Sequence, residues 1–473
     1  MKISKRILAA CLSCLLISGA LSGCKTEGDS SQTESDAAAS TGSTGTEPTT
    51  GGTLAPDKYS PKCEVDDVVY NTGLCISEWG TYYNDTAMNL KKRFELYKEV
   101  GFKTIRVETG WGAIEKSRGV YTNPANVLYY YTAKQAGLRF KTILGTSGPP
   151  SWYFEEYPDA KLMDQNGRQA LGTPSYFAPE YKELRAKALD ELLARWKELG
   201  FLDVTDTIVI DCGPAGEPLY PPAWTQETDG LDNSSGEEVF WGYDKYSQQN
   251  FRETMQEKYG TIAAANAAWG KSYSSFDQVE VPKPGNGGGG IWADYLDWYK
   301  QSKRNFVLEQ VEIYKAAVDK YTGGRVKLIL YIPGSDVTDE AFEAAKASGD
   351  GDGSVRIMAD SRFLVDTAKE HGLYLQYTGF ENASQTKYLR AYMDASGAGD
   401  IPFFGENAGG YDAVKYAANL SAIVRQNGMA GIDVTHSRFL FKNYDGMTPS
   451  DDIDKIKAAM KIIDNYLRPQ SGD

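Results

Sequence analysis

The chain has 473 residues, 41% of them hydrophobic, and a formal net charge of −14 at pH 7. That length suffices for a large core, and the acidic balance disfavours nucleic acid or an anionic membrane surface as the main partner. Only two histidines occur, His371 and His436, so a histidine-based metal site or a Ser/Cys–His triad is disfavoured. The sequence predicts a globular protein that acts on a neutral or polar substrate through carboxylates, and it implies no cofactor.

Residues 1–24 have the features of an export signal. Basic residues precede the apolar run ILAACLSCLLISGAL, which is too short to span a membrane comfortably and ends in LSGC. This ending resembles the bacterial lipoprotein signal, which implies cleavage before Cys24 and lipidation of its thiol. Residues 25–57 are rich in Ser, Thr and Gly and are predicted to form a disordered tether. We therefore expect an extracytoplasmic protein at a bacterial cell surface, in contact with the membrane only through its lipid anchor.

Cysteine usage gives no disulfide framework. Cys11 and Cys14 lie in the signal, which leaves Cys63, Cys75 and Cys212 for the folded part. Three scattered cysteines do not define a set of bridges. A bridge between Cys63 and Cys75 is an option in an exported protein, but buried free thiols are favoured.

From about residue 70, short apolar runs alternate with longer helical patterns, which is typical of α/β proteins. Eight runs are predicted to be strands: 71–80, 104–110, 139–148, 207–213, 326–334, 373–380, 402–410 and 428–437. The helical segments between them mostly end in a glycine, which suits the C′ position. The pattern predicts one (β/α)8 TIM barrel over residues 58–469, with a doubly wound open sheet as the alternative.

The longest connection follows the fourth strand, from Pro218 to about Trp292. Long βα connections wall the active sites of barrels, so this insertion is expected to shape the site. The motif DGDGS at 350–354 begins like a calcium loop, but its twelfth position is Ser361 instead of glutamate. An ordinary loop is the preferred interpretation.

Acidic residues fall in or just after six of the eight predicted strands: Glu78, Glu108, Glu217, Glu381, Glu406 and Asp433. The carboxyl ends of barrel strands meet on one face, so these side chains are expected to lie together. Tryptophans follow the first three strands, and barrel packing is an equally expected role for them. A carboxylate cluster rimmed by tryptophan is typical of glycosidic-bond cleavage, which needs a proton donor, a second carboxylate and flat faces for sugar rings.

Several segments resemble those of β-amylases, in the family's order. GPAGEPLYP places Glu217 in the general-acid position, and YTGFENASQ places Glu381 at the general base. RVETGWGAIE places Glu108 where the family has an Asp that binds the sugar at the cleavage point. GEEVFWGYDKY, YLDWY, GENAGGYD and THSRF are similar to further segments of the family. The predicted substrate contacts are Glu108, Trp79, Trp111, Trp152, Tyr220, Asn382, Asn407 and Arg438.

The resemblance implies an inverting glycoside hydrolase that acts on carbohydrate. Two segments depart from the family. The connection LGTSGPPSW after the third strand is shorter than the family's flexible loop and has no His, and LYIPGSD after the fifth lacks the family's Trp pair and Lys. Specificity for maltose units is therefore not implied.

Two alternatives stay open. PPSWYFEEYPDAKLMDQNGRQ and KYGTIAAANAAWG resemble segments of barrel-type bacterial β-galactosidases, which retain configuration. That resemblance makes Glu217 the acid/base and Glu406 the nucleophile, although those enzymes usually carry Asn where this chain has Gly216. The second alternative is a surface lipoprotein that binds glycans without cleaving them, and the presence of both candidate acids weighs against it. The sequence assigns no oligomeric state.

Overall fold

The structure is a computed structural model that describes residues 59–78, 86–223, 227–228, 231–232, 238–407, 413–435, 437–442 and 445–468. The predicted signal and tether lie outside the described residues and stay predictions. Among the helices within these ranges, none has the length and apolar character needed to cross a bilayer. Cys63, Cys75 and Cys212 are free thiols, as expected, although Cys63 is only partly buried.

Eight parallel strands form a closed barrel, and each overlaps one of the eight predicted runs. They are β1 (Leu74–Ser77), β2 (Thr104–Gly110), β3 (Arg139–Gly145), β4 (Thr205–Val209), β5 (Lys327–Ile332), β6 (Tyr374–Tyr377), β7 (Phe403–Glu406) and β8 (Gly431–Thr435). Each strand pairs with its neighbours in chain order, and β8 pairs with β1. This closure confirms the (β/α)8 fold and excludes the open doubly wound sheet.

Helices and short hairpins complete the chain between the strands. The α-helices are Asp67–Thr72, Ala87–Val100, Trp111–Ile114, Val127–Gln135, Ser151–Glu156, Tyr181–Glu198, Lys245–Tyr259, Ile262–Trp269, Gly290–Thr322, Asp339–Ser348, Gly353–Ile357, Ser361–His371, Ala383–Ser396, Ala413–Gln426 and Ile453–Leu467. Antiparallel pairs join Glu115–Ser117 to Val120–Tyr121, Lys161–Met163 to Gln169–Pro174, and Glu227–Thr228 to Leu231–Asp232.

The helix Ala87–Val100 illustrates how the outer helices form and pack. Thr86 caps its first turn through a hydrogen bond from the Asn89 amide, and Gly101 ends it at a φ of 114°. The side chains of Phe94 and Tyr97 are fully buried in the core between helices and barrel. Burial of an apolar side chain of this size contributes about 1.5–3 kcal/mol.

The described part of residues 210–326, which connect β4 to β5, contributes most of a second apolar cluster that is rich in aromatic side chains. The cluster includes Trp241, Trp292, Trp298, Tyr295 and Tyr299. The helix Gly290–Thr322 belongs to both cores, because its later residues Val307, Val311 and Tyr314 pack in the main barrel core. This helix therefore fixes the connection to the barrel wall.

The acidic segment 350–354 forms a helix cap. The Asp352 carboxylate accepts a hydrogen bond from the Val355 amide at the start of Gly353–Ile357, and Asp350 pairs with Arg356 at 2.8 Å. Within the described ranges, no group of three or more His, Cys, Asp or Glu side chains is arranged to hold a metal ion. The observed role of this segment is structural.

Charged side chains occupy part of the barrel interior. Ser77, Arg106 and Lys141 are register partners on β1 to β3, and Glu406 pairs in register with Asp433 on β7 and β8. Register partners point to the same side of a sheet, here the interior. All five side chains are buried.

Asp433 lies at the centre of this interior network. Its carboxylate accepts hydrogen bonds from Lys141 Nζ at 2.7 Å and from Ser77 Oγ at 2.6 Å. Burial by itself raises the pKa of Asp433, but the charges of Lys141 and Arg106 outweigh burial and lower this pKa to about 2. The ion pair between Asp433 and Lys141 therefore joins β8 to β3 across the barrel.

We predict that Lys141→Met lowers the free energy of unfolding at pH 7 by about 3–5 kcal/mol, because it leaves Asp433 buried without its main cation. The difference from the parent is expected to shrink as the pH falls from about 4 to about 2, where Asp433 takes up a proton in the folded state. Urea unfolding measures both effects. The matched control is Lys91→Met on an exposed helix face, which should change stability by less than about 0.5 kcal/mol. A Lys141→Met protein as stable as this control would contradict the assignment.

Candidate active site

Glu217 lies in a tight turn beyond the carboxyl end of β4. Residues 211–219, named here the Glu217 turn, close on themselves through hydrogen bonds from the Gly216 amide to Gly213 O at 2.9 Å and from the Glu217 amide to Pro214 O at 3.0 Å. Ala215 and Gly216 have left-handed backbones, with φ of 53° and 83°. A Cβ atom on Gly213 would lie 2.7 Å from Glu217 O, so only glycine fits there. This small-residue run explains how the turn presents one acidic side chain.

The Glu217 side chain is partly buried, which favours the protonated form of its carboxyl group. Burial raises its pKa to about 7, and the negative charge of Glu406 adds to the rise. A hydrogen bond from Thr378 Oγ1 to Glu217 Oε1 at 2.5 Å and the charge of Arg106 act in the opposite direction. A carboxyl group with this pKa is suited to donate a proton.

Glu406 ends β7 inside the barrel, and donors occupy both of its oxygens. Arg106 Nη1 donates to Oε1 at 2.5 Å, and Thr435 Oγ1 donates to the same atom at 3.2 Å. Gln376 Nε2 donates to Oε2 at 2.6 Å. This carboxylate is therefore held rigidly in the interior network.

Glu108 extends from β2 into the barrel mouth. Its carboxylate pairs with Arg106 Nε at 2.9 Å, while 52% of its side chain stays accessible to solvent. Desolvation of the carboxyl group raises the pKa of Glu108, and the charge of Arg106 partly offsets that rise. Arg106 thus contacts Glu108 and Glu406 at once and links the mouth to the interior.

Glu381 follows β6 and lies close to the ring of Tyr377. The pKa of Tyr377 is raised first by burial and then by the charge of Glu381. The next residue, Asn382, is exposed and caps the helix Ala383–Ser396 by accepting a hydrogen bond from the Gln385 amide at 3.2 Å. The sequence placed Asn382 at the substrate, a role that stays a prediction, whereas its observed role is the cap.

Three aromatic residues that the sequence predicts to contact substrate are buried among other side chains. Trp111 is fully buried, donates from Nε1 to Glu115, and lies 6.1 Å from the Trp152 ring. Trp152 is 8% exposed, and Tyr220 stacks on Tyr299 at 4.1 Å. In this conformation these rings serve packing, and direct contact with substrate stays a prediction for each.

The remaining predicted site residues are Asn407, Arg438, Trp79 and Cys24. Asn407 is buried and joins β7 to β8, because its Oδ1 accepts from the Thr435 amide at 2.8 Å and its Nδ2 donates to Thr435 O. Arg438 is exposed in the 3₁₀ turn Ser437–Leu440. Trp79 and the lipidation residue Cys24 lie outside the described residues.

Glu78 is turned away from the candidate site. Its carboxylate pairs with Arg93 at 2.7 Å and accepts a hydrogen bond from Tyr97 on the helix Ala87–Val100. Of the six acids expected at the strand ends, this one serves the outer helix layer. The sequence pattern of one strand does not predict this, because it does not determine toward which side of the barrel wall the side chain at the strand end points.

Sequence reasoning missed Arg106, Lys141, Gln376 and Thr378. Three of them interrupt otherwise apolar strand runs, and a polar residue inside a buried strand signals a partner within the barrel. Thr378 gave no such signal. Its role depends on the approach of the β6 end to the Glu217 turn, which only the closed barrel brings about.

A (β/α)8 barrel with a proton-holding carboxyl and further carboxylates at the carboxyl ends of its strands has the arrangement of a barrel glycosidase site. The model of the family described as Glycosyl hydrolase family 14 matches residues 71–389. The chain belongs to Glycosyl hydrolase family 14. This match confirms the resemblance to β-amylases found in the sequence.

Individual relatives agree with the family. A β/α-amylase of Paenibacillus polymyxa is 27% identical over 255 residues, which cover 48% of this chain and only 20% of that protein. The crystal structure of the catalytic domain of β-amylase from Paenibacillus polymyxa aligns with a TM-score of 0.64 and 21% identity, over 81% of this chain and 96% of that one. A β-galactosidase from Rahnella sp. R3 aligns with a TM-score of 0.58 and 13% identity, over 87% and 58%. At these identities the two structures show a shared fold.

We predict that Glu217→Gln is more stable than the parent at pH 8 and that this advantage disappears at pH 4. The unfolded carboxyl ionises above about pH 4.3, but the folded one ionises only above about pH 7, so folding loses stability as the pH rises through this window. The expected gain at pH 8 is about 3–4 kcal/mol, at roughly 1.4 kcal/mol per pKa unit. Urea unfolding at both pH values measures it, and a difference that is the same at pH 4 and pH 8 would show that Glu217 is not the perturbed acid.

Proposed function

We propose that the protein is a glycoside hydrolase of the β-amylase type, with Glu217 as general acid and Glu381 as general base. The observation that carries the proposal is the partly buried Glu217 carboxyl with a pKa of about 7, in a chain of Glycosyl hydrolase family 14. At neutral pH a large share of this carboxyl is protonated and able to donate to the glycosidic oxygen.

In the proposed reaction Glu217 protonates the leaving oxygen as the glycosidic bond breaks. Glu381 takes a proton from a water molecule that attacks the anomeric carbon from the opposite face of the sugar ring, and the configuration inverts. Such a pair leaves room for the water when its carboxyl groups lie about 6.5–9.5 Å apart. Glu108, half-exposed and paired with Arg106, is proposed to bind a sugar hydroxyl.

Glu381 is preferred over Glu406 as the second carboxylate because of the hydrogen bonds at Glu406. Three donors already occupy its two oxygens, and one of them belongs to the buried Arg106. A general base needs an oxygen lone pair that faces water. The retaining alternative, in which Glu406 is the nucleophile, is supported by the electrostatic contact between Glu217 and Glu406 and by the resemblance to β-galactosidases.

The proposed substrate is an oligo- or polysaccharide, and the sugar and linkage are the variables to test. The rival proposal is a glycan-binding protein without catalysis. A binding protein has no need for a desolvated carboxyl group with a raised pKa, because desolvating a carboxyl group costs stability that binding alone does not require.

We predict early β-maltose when residues 57–473 act on a malto-oligosaccharide, because inversion at an α-linkage gives the β-anomer. Proton NMR of fresh product measures the anomer before it equilibrates, and the same panel includes β-galactoside oligosaccharides. Retention of the anomeric configuration would assign the role of second carboxylate to Glu406, as the nucleophile, instead of Glu381. No cleavage across the panel would favour glycan binding.

Variants provide the controls for this experiment. Glu217→Gln and Glu381→Gln are each expected to lower kcat on the order of 10²–10⁴-fold with smaller changes in KM, because both groups act mainly in the transition state. Glu370→Gln removes an exposed carboxylate at the end of Ser361–His371 and is expected to leave kcat unchanged. Near-normal turnover of Glu217→Gln would contradict the assignment of Glu217 as the general acid.

We also propose that Cys24 carries a lipid and that residues 25–57 tether the barrel to the outer face of a bacterial membrane. The proposal is supported by the LSGC ending of the apolar segment and by the polar composition that follows it. We predict that Cys24→Ala moves the protein from the membrane fraction to the soluble fraction of an expressing bacterium, as measured by immunoblot. A variant that stays with the membrane as strongly as the parent would contradict the lipid anchor.

A further inference from the structure

One face of the helix Gly290–Thr322 lies against the end of β4. Tyr299, Lys303, Phe306, Gln310 and Tyr314 are spaced by three or four residues and therefore share this face. Gln310 Nε2 donates to Asp211 O, and the Tyr314 hydroxyl donates to Leu144 O on the neighbouring strand. The helix thus supplies hydrogen-bond donors to backbone carbonyl groups at the ends of β3 and β4.

Lys303 is the charged member of this face. Its Nζ donates to Cys212 O at 2.8 Å, to Leu219 O at 2.8 Å and to the Tyr176 hydroxyl at 3.0 Å. An ammonium group has three N–H donors, so all three are used. The rings of Tyr176 and Phe306 lie 5.1 Å from Nζ, within the range of cation–π attraction.

The two carbonyl groups that Lys303 binds lie at opposite ends of the Glu217 turn. Cys212 precedes and Leu219 follows the segment that carries Glu217, so one side chain joins both ends. The turn needs such an external contact because Ala215 has a left-handed backbone, at a φ of 53°, that a residue with a Cβ atom adopts at a cost. Without Lys303 both carbonyl groups would lose a charged donor, and the ends of the turn would no longer share a partner.

A separate contact fixes the start of the same turn. The Asp211 carboxylate accepts hydrogen bonds from the Thr146 amide at 2.6 Å and from the Ser147 amide at 2.7 Å, in the connection after β3. This contact acts on the start of the turn alone, whereas Lys303 binds both the start, at Cys212, and the far end, at Leu219.

Stability alone does not account for a lysine at this position. Burial lowers the pKa of Lys303 to about 7, and the charged or titratable groups that act on it are Cys212, Asp211 and Arg185. A desolvated ammonium is costly for the fold, whereas an apolar side chain of similar length fills the same space without that cost. The benefit that offsets this cost is the geometry of the turn.

We propose that Lys303 is a positioning residue that holds the Glu217 carboxyl in place by joining the carbonyl groups of Cys212 and Leu219, an inference that rests on Glu217 as the acid of the proposed function. Lys303 acts through the backbone and does not contact substrate. A displaced acid donates its proton less efficiently, while binding of the sugar is largely unaffected.

The test compares Lys303→Met with Lys315→Met. Lys315 lies on the same helix and donates from Nζ to His371 O at 2.8 Å, away from the Glu217 turn, so it is the matched control. Lys303→Met is expected to lower kcat on the order of 100-fold with little change in KM, and to speed amide hydrogen exchange in a peptide that covers residues 211–220. Lys315→Met should change neither quantity.

Unchanged hydrogen exchange in Lys303→Met, or a parent-like kcat, would overturn the proposal. A parent protein that cleaves no glycan would refute the proposed function instead, and hydrogen exchange would still decide whether Lys303 holds the turn. If Lys303→Met fails to fold, Lys303→Gln keeps two N–H donors on a shorter chain. It is expected to shift kcat and exchange in the same direction by a smaller factor, and no shift would overturn the proposal.

Discussion

The charge balance inside the barrel is the constraint on which the candidate site depends. Arg106 and Lys141 bring two cations into a closed parallel barrel, and Glu406 and Asp433 balance them through direct hydrogen bonds. Because Glu406 is used in this balance, its oxygens are already occupied. The environment of Glu217 is different. Its carboxyl group accepts a hydrogen bond from the neutral hydroxyl of Thr378, and burial raises its pKa to about 7. The same barrel thus lowers the pKa of one carboxyl group, Asp433, to about 2 and raises that of another, Glu217, to about 7, and the raised value suits a proton donor.

Much of the fold was predictable because barrel strands are buried on both faces and read as short, nearly continuous apolar runs. All eight predicted runs overlap strands of the closed sheet. The interior network was not predicted, although its signal was present in Arg106 and Lys141, which interrupt two of these runs. A local pattern shows that such a residue needs a partner, but the identity of the partner depends on closure. Lys141 meets Asp433 only because β8 returns to β1.

The candidate site was predictable in part. The glycine-rich turn and its single acid mark Glu217 in the sequence, and the structure places this acid beside Thr378 at the barrel mouth. The direction of neighbouring side chains was not predictable, because a shift of one residue along a strand end reverses the side on which a side chain lies. Glu78 therefore pairs with the outer helix, and Trp111 packs in the interior. Lys303 is far from Glu217 in sequence, and only the packing of its helix against β4 brings the two together.

The central claim is that Glu217 delivers the proton while Glu381 acts from the opposite face of the sugar. The most direct measurement is a crystal structure of the Glu217→Gln variant with a bound malto-oligosaccharide or another glycan that the parent cleaves. The account predicts that the side-chain amide introduced by this substitution lies within about 2.6–3.2 Å of the glycosidic oxygen, and that the Glu381 carboxylate lies about 6.5–9.5 Å from that amide, across the ring. A sugar with Glu406 directly below its anomeric carbon, about 5–5.5 Å from the same amide, would contradict it.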